Sequence, residues 1–133
     1  MRTLQLSIII LATNFFFNTD SIAQQQIKEP AIGNLNLTVS KLIIGNNDIT
    51  DSLGIVKIAN NLWVEYNRKD VEIGRANIIK NTGKEMQIKW ISATNGAKKD
   101  AVTIYKINKD QSTYTFDIYF DNKKQGYFVA STE

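Results

Sequence analysis

Asp48, Asp51, Asp70, Asp100 and Asp121 are the side chains best suited to chemistry in this chain, because it contains no histidine and no cysteine. Two opposed carboxylates can cleave a glycosidic bond by general acid and base catalysis, and several together can hold calcium. Their setting argues against both uses. They fall mostly in stretches rich in Asn, Asp or Gly, where aspartate serves the turn itself, and no Asp-x-Asp-x-Asp-Gly loop occurs. The missing imidazole and thiol remove serine triads, thiol nucleophiles, disulfides and the zinc and iron sites built on those ligands. Gly83-Lys84 lacks the upstream glycine and the following Ser or Thr of a phosphate loop. Neither Gly-x-Ser-x-Gly nor Ser-x-x-Lys is found. The expectation is a non-enzymatic protein without cofactor or metal, with a carboxylate-based hydrolase as the residual catalytic reading.

Basic residues offer a second kind of chemistry. They gather in three doublets, Arg68-Lys69, Lys98-Lys99 and Lys123-Lys124, while Arg75 stands alone among apolar neighbours. Over 133 residues, sixteen basic and thirteen acidic side chains give a net charge of +3. That excess is too small to imply nucleic acid, and the length suits one domain.

The start of the chain reads as an address. Met1-Arg2 precedes an apolar run from Leu4 to Phe17, and Ser21-Ile22-Ala23 places small residues before a cut. This is the pattern of a secretory signal peptide over residues 1–23. The apolar run is interrupted by Thr13 and Asn14, too early for the roughly 20 residues that span a bilayer. No cysteine follows, so no lipid is attached there. The processed chain is expected to be periplasmic or extracellular, without a membrane span. Residues 24–34, with the only proline, Pro30, read as an exposed lead-in.

From residue 35 onward the apolar period is two. Tyr114, Phe116, Ile118 and Phe120 alternate with Thr113, Thr115 and Asp117, and Met86, Ile88 and Trp90 alternate with Gln87 and Lys89. Leu62, Val64 and Tyr66 share a face against Glu65. Strands are expected at 35–44, 53–58, 62–66, 71–80, 85–93, 101–108, 113–120 and 125–131. Asp51-Ser52 could instead cap a short helix over Leu53 to Ala59. Short polar turns between strands indicate an all-β, antiparallel meander of about eight strands closed into a small barrel, with a β-sandwich as the alternative. In such a meander the loops 45–52, 67–70, 94–100 and 121–124 share one end, which becomes a mouth ringed by the basic doublets. The five aspartates at that end leave a charge of about +1 there.

Two details depend on side-chain parity. Val71 and Ile73 oppose Ala76 and Ile78, so a β-bulge near Gly74 is expected, and it turns Arg75 to solvent. Without the bulge Arg75 would face the interior and need an anionic partner. Trp63 and Tyr119 fall on the faces opposite their strands' apolar sets; packing in the core or over a seam is expected ahead of an outward recognition surface.

Over residues 35–131 the chain resembles the small exported lipocalin-like β-barrels of bacteria, in strand count, short turns and an aromatic-rich interior. Asn61-Leu62-Trp63 stands where that family has Gly-x-Trp, with Asn in place of Gly, and no family binding residue carries over. The resemblance implies a non-enzymatic binder holding a small apolar or amphipathic ligand. Its candidate lining is Arg75, Met86, Ile88, Trp90, Tyr114, Phe116, Ile118 and Phe120, with Arg68, Lys69, Lys98, Lys99, Lys123 and Lys124 at the rim. The competing expectation is a secreted interaction module with a filled core. It would inhibit a cell-wall enzyme or join a surface assembly, recognising a cell-envelope protein through the 45–52 and 94–100 loops and Trp63.

Overall fold

Tight turns set the register of the whole molecule. Asn60 and Asn61 have φ of 53° and 64°, and Asp121 and Asn122 have φ of 50° and 63°. Both pairs thus show the positive φ at two central positions that a type I′ hairpin requires and that Asn and Asp tolerate. Asp70, Asp100, Gln111 and the glycines Gly45, Gly83 and Gly96 take the same left-handed backbone in other loops. The aspartates that drew attention as chemistry are, at Asp70, Asp100 and Asp121, turn formers.

The structure, a computed structural model, describes residues 30–94 and 96–132. The expected signal peptide and residues 24–29 of the lead-in lie outside the described residues. The strands are β1 (Leu35–Ile44), a two-residue β2 (Asn47–Asp48), β3 (Ile55–Ala59), β4 (Leu62–Tyr66), β5 (Glu72–Asn81), β6 (Glu85–Ala93), β7 (Val102–Asp110), β8 (Thr113–Phe120) and β9 (Lys123–Thr132). Every neighbouring pair is antiparallel, and β1 pairs with β9 from Leu37 opposite Thr132 to Ile44 opposite Gly126. That last pairing closes an eight-stranded barrel, with β2 as an extra hairpin arm on β1. The meander expected from the sequence is present, and the sandwich is not. Asp51 and Ser52 belong to a single 3-10 turn over Thr50–Ser52, after which Ile55 begins a strand rather than a helix.

Bulges adjust which face points inward. In β1 the pairing slips between Val39 and Lys41, so Leu37 and Val39 are followed on the inner face by Leu42. In β5 the slip lies between Glu65 and Tyr66 of β4, leaving Ile73 as the extra residue, one position before the expected Gly74. Gly74 and Ala76 then face inward and Arg75 outward.

The β3–β4 hairpin corrects one expectation. Its turn pairs Ile58 with Trp63 and Lys57 with Val64. Lys57 must face water, so Val64 shares the outer face, and Trp63 and Glu65 point inward. Trp63 is fully buried and Glu65 is 6% exposed. The apolar trio Leu62, Val64 and Tyr66 misled because it lies on the outer wall, where Lys57 sits over the Tyr66 ring at 5.2 Å and Val64 is buried between its register partners Lys57 and Arg75.

Apolar residues therefore line the inside, while Lys57, Lys89 and Lys106 stand exposed along the outer wall. This is the inverse of the outward apolar band that a membrane barrel needs. Among the described residues no helix is long and apolar enough to cross a membrane. At the end opposite the mouth, Ile32 of the lead-in packs against the core. Its N–H donates to Asn81 Oδ1 at 3.0 Å, and its carbonyl accepts from Asn81 Nδ2 at 2.7 Å.

At the seam the backbones of β1 and β9 approach so closely that a Cβ on Gly126 would run into the Ile43 carbonyl oxygen, whereas one on Gly33 would meet nothing within 4 Å. Gly126→Ala is expected to cost about 2 kcal/mol or more, seen as a fall of roughly 10 °C in the melting temperature. Gly33→Ala should melt with the parent chain.

Candidate functional site: the barrel interior and its mouth

Four aromatic side chains meet at the centre of the barrel. Trp63 of β4 stacks on Tyr105 of β7 with centroids 4.6 Å apart, and Phe116 of β8 stacks on Phe128 of β9 at 4.5 Å. The two stacks meet edge to face: Trp63 lies 5.8 Å from Phe116, and Tyr105 lies 5.9 Å from Phe128, the geometry favoured by ring quadrupoles. In the strand order of the barrel, β4 and β8 are diametrically opposite. Rings from opposite walls are in contact, so side chains fill the barrel at this level, as an eight-stranded barrel permits.

Two polar groups are built into this apolar interior. Trp63 Nε1 donates to Glu65 Oε2 at 2.9 Å, and Trp90 Nε1 donates to Thr103 Oγ1 at 2.9 Å. Each bond satisfies a buried indole N–H that would otherwise carry a desolvation cost. Burial, with the Glu65 charge as the second cause, pushes the Tyr105 phenol well above its usual value of 10.0. A Glu–Trp–Tyr group thus lies inside the barrel, and the candidate lining read from the sequence contains none of its three members. The signal was available in Lys57, whose register partner across a two-residue turn fixes Trp63 and Glu65 inward.

The expected lining divides. Met86, Ile88 and Phe116 are fully buried inside, Trp90 and Tyr114 nearly so, and Ile118 packs half-buried against the same core. Phe120 has the inner parity but ends β8 at the mouth and is 44% exposed. Arg75 is outside: its Nη2 lies 2.8 Å from Glu72 Oε1, and its Nε donates to Glu72 Oε2 at 3.0 Å. That bidentate contact holds the Glu72 carboxyl below its usual range and gives Arg75 an anionic partner away from the interior. Trp63 is core rather than a recognition residue. Tyr119 is on the outer wall, half-buried under Lys106 Nζ at 4.8 Å.

The rim also divides. Arg68 is a clamp: its Nη2 donates to the Thr50 carbonyl at 2.9 Å and to the Val39 carbonyl at 3.0 Å. The β1–β3 register ends at Thr38 opposite Ile55, and just beyond it Arg68 ties the 67–70 loop to β1 through the Val39 carbonyl and to the 45–52 loop through the Thr50 carbonyl. Asp48 accepts from the Thr50 backbone N–H at 3.0 Å and from the Thr50 hydroxyl, and these bonds lower its carboxyl pKa. Lys124 turns to the outer wall, 3.4 Å from Asp117. Lys69, Lys98, Lys99 and Lys123 remain exposed at the mouth. With Lys124 gone, five basic side chains face five aspartates there, and the expected +1 becomes zero. A dish of about 500 Å³ is lined by Asp48, Ile49, Thr50, Asp51 and Ser52 of the 45–52 loop. Among the described residues no cluster of acidic side chains could hold a metal ion.

Comparison of the chain with family models, with curated proteins and with solved structures finds no match.

The folded Tyr105 phenol is harder to ionise than the unfolded one. Its contribution to stability is therefore complete below about pH 10 and is lost as pH rises toward the folded value. In an absorbance titration of the native protein the Tyr105 phenol should stay un-ionised above about pH 10 until the chain unfolds, and Tyr105→Phe should leave the native-state phenolate count unchanged while lowering the count after unfolding by one. Ionisation of all five tyrosines before unfolding would contradict this placement.

Proposed function

We propose that the protein is a non-enzymatic, exported binding module of lipocalin-like architecture. Its barrel is a filled scaffold, and its mouth loops grip a protein of the cell envelope. The observation that supports this reading is the contact of Trp63 with Phe116 across the full width of the barrel. A small apolar or amphipathic ligand seated there would have to displace a layer of stacked rings that already satisfies its own packing.

The mouth suits a protein surface better than a polyanion. Its charges balance, and three of its loop and strand ends expose large apolar side chains: Ile49 at 39%, Val71 at 55% and Phe120 at 44%. Apolar contacts within a charge-balanced polar rim are the composition of a non-obligate protein interface. Recognition of this kind fits an inhibitor of a cell-wall enzyme or a subunit of a surface assembly.

Native mass spectrometry of the processed protein, with displacement of a fluorescent fatty acid, should show no ligand retained. One lipid bound per chain would restore the container reading. Cross-linking in the producing cell's envelope should lose its adduct when Ile49→Ser, Val71→Ser and Phe120→Ser are combined. The melting temperature should change little, as exposed substitutions usually cost within about 0.5 kcal/mol each. An undiminished adduct would move the interface away from the mouth.

A further inference from the structure

The lead-in is seated at the barrel base by contacts that belong to no strand. Residues 30–34 precede β1 and run past the β3–β4 turn to the end of β5. Asn34 Oδ1 accepts from the Asn60 N–H at 3.2 Å. One side-chain amide, that of Asn81, gives Ile32 both of the bonds that a neighbouring strand would give. The Ile32 side chain packs against the core, while Ala31, Gly33 and Asn34 are exposed.

The seat exists because β5 outruns its neighbour. The register of β4 with β5 ends at Leu62 opposite Asn77, and the Asn61 carbonyl accepts the next bond, from the Ile78 N–H. Lys80 and Asn81 carry β5 beyond that point with β6 as their strand neighbour. A bond from the Gly83 N–H to Asn81 Oδ1 at 3.2 Å fixes the amide from within its own turn. The seat is therefore shaped independently of the strap that fills it. A strap held mainly at one residue, with open space around Gly33, can lift without unfolding the barrel.

From these contacts we infer that the barrel base is a self-association site, at which the lead-ins of two copies exchange seats. Each Ile32 then enters beside Asn81 of the other copy, and the two barrels stand base to base. Exchange keeps the bonds that Ile32 makes at its seat. It also brings together two surfaces on which Ile79, two residues from Asn81, is 53% exposed. A strap competes for the seat of its own chain at an effective concentration of millimolar order, so exchange prevails only where chains are concentrated. The site lies at the end opposite the mouth and goes beyond the binding proposed there.

The test removes that competition by dividing seat and strap between two variants of the processed protein. Ile32→Ser keeps the seat and spoils the strap, whereas Asn81→Ala keeps the strap and spoils the seat. Isotope-labelled Ile32→Ser chain is titrated with unlabelled Asn81→Ala chain to about 1 mM and followed by nuclear magnetic resonance. The Asn81 side-chain amide and the Gly83 N–H should shift. The mixed pair should associate at least about tenfold more tightly than either variant with itself, as loss of the Ile32 bonds implies. If Asn81→Ala fails to fold, a peptide of residues 30–34, Pro-Ala-Ile-Gly-Asn, serves as the strap and should move the same signals. Unmoved Asn81 signals over that range, or equal shifts from a chain carrying both substitutions, would overturn the exchange. Neither result bears on the cross-linking experiment at the mouth.

Discussion

The contact between Trp63 and the Phe116–Phe128 stack is the constraint on which the rest of the molecule depends. An eight-stranded sheet can close around a space that is either filled or left for a guest. Here β4 places an indole in that space, β7 lays a phenol ring on it, and β8 and β9 complete the layer. Closure and packing follow from that choice. A barrel held open would need its inner faces supported by a ligand, whereas this one buries its largest side chains against one another.

Polar groups inside such a layer are costly unless satisfied. The indole of Trp63 is satisfied by Glu65, and the indole of Trp90 by Thr103. A buried carboxylate beside stacked rings specifies the arrangement more than it strengthens it. The ends of the barrel use the same economy of partners. Arg68 meets two loop carbonyls at the mouth, and Asn81 offers its amide to Ile32 at the base in the manner of a neighbouring strand.

Much of the fold was legible in the sequence because period-two alternation and Asn, Asp and Gly turns report directly on backbone geometry. The strands 35–44, 62–66, 85–93 and 113–120 coincide with those found. Face assignment was harder where both faces of a strand are apolar. In β4 the outer Leu62, Val64 and Tyr66 outnumber the inner Trp63, and only the pairing of Val64 with Lys57 resolves the two. Arg75 was read in two ways, outward behind a bulge and as part of the lining; a bulge at Ile73 turns it outward and takes it out of the lining. Phe120 obeys the alternation but outruns the barrel wall. Lys124 was assigned to the mouth by its place beside the turn, but its pairing with Tyr119 sets it on the outer face, where it reaches Asp117. Register and bulges involve partners distant in sequence, and a period cannot supply those.

The seam between β1 and β9 also governs how the chain can come into being. The first wall strand finds its second neighbour only in the last one, with Leu37 opposite Thr132. Until synthesis delivers that final segment, β1 presents a bare row of amides and carbonyls to any other strand nearby. Pairing over so long a separation is slow compared with hairpin zipping. The unfinished barrel is therefore the vulnerable species, and a chaperone that shields one edge for a short time would serve this protein better than one that remodels its core.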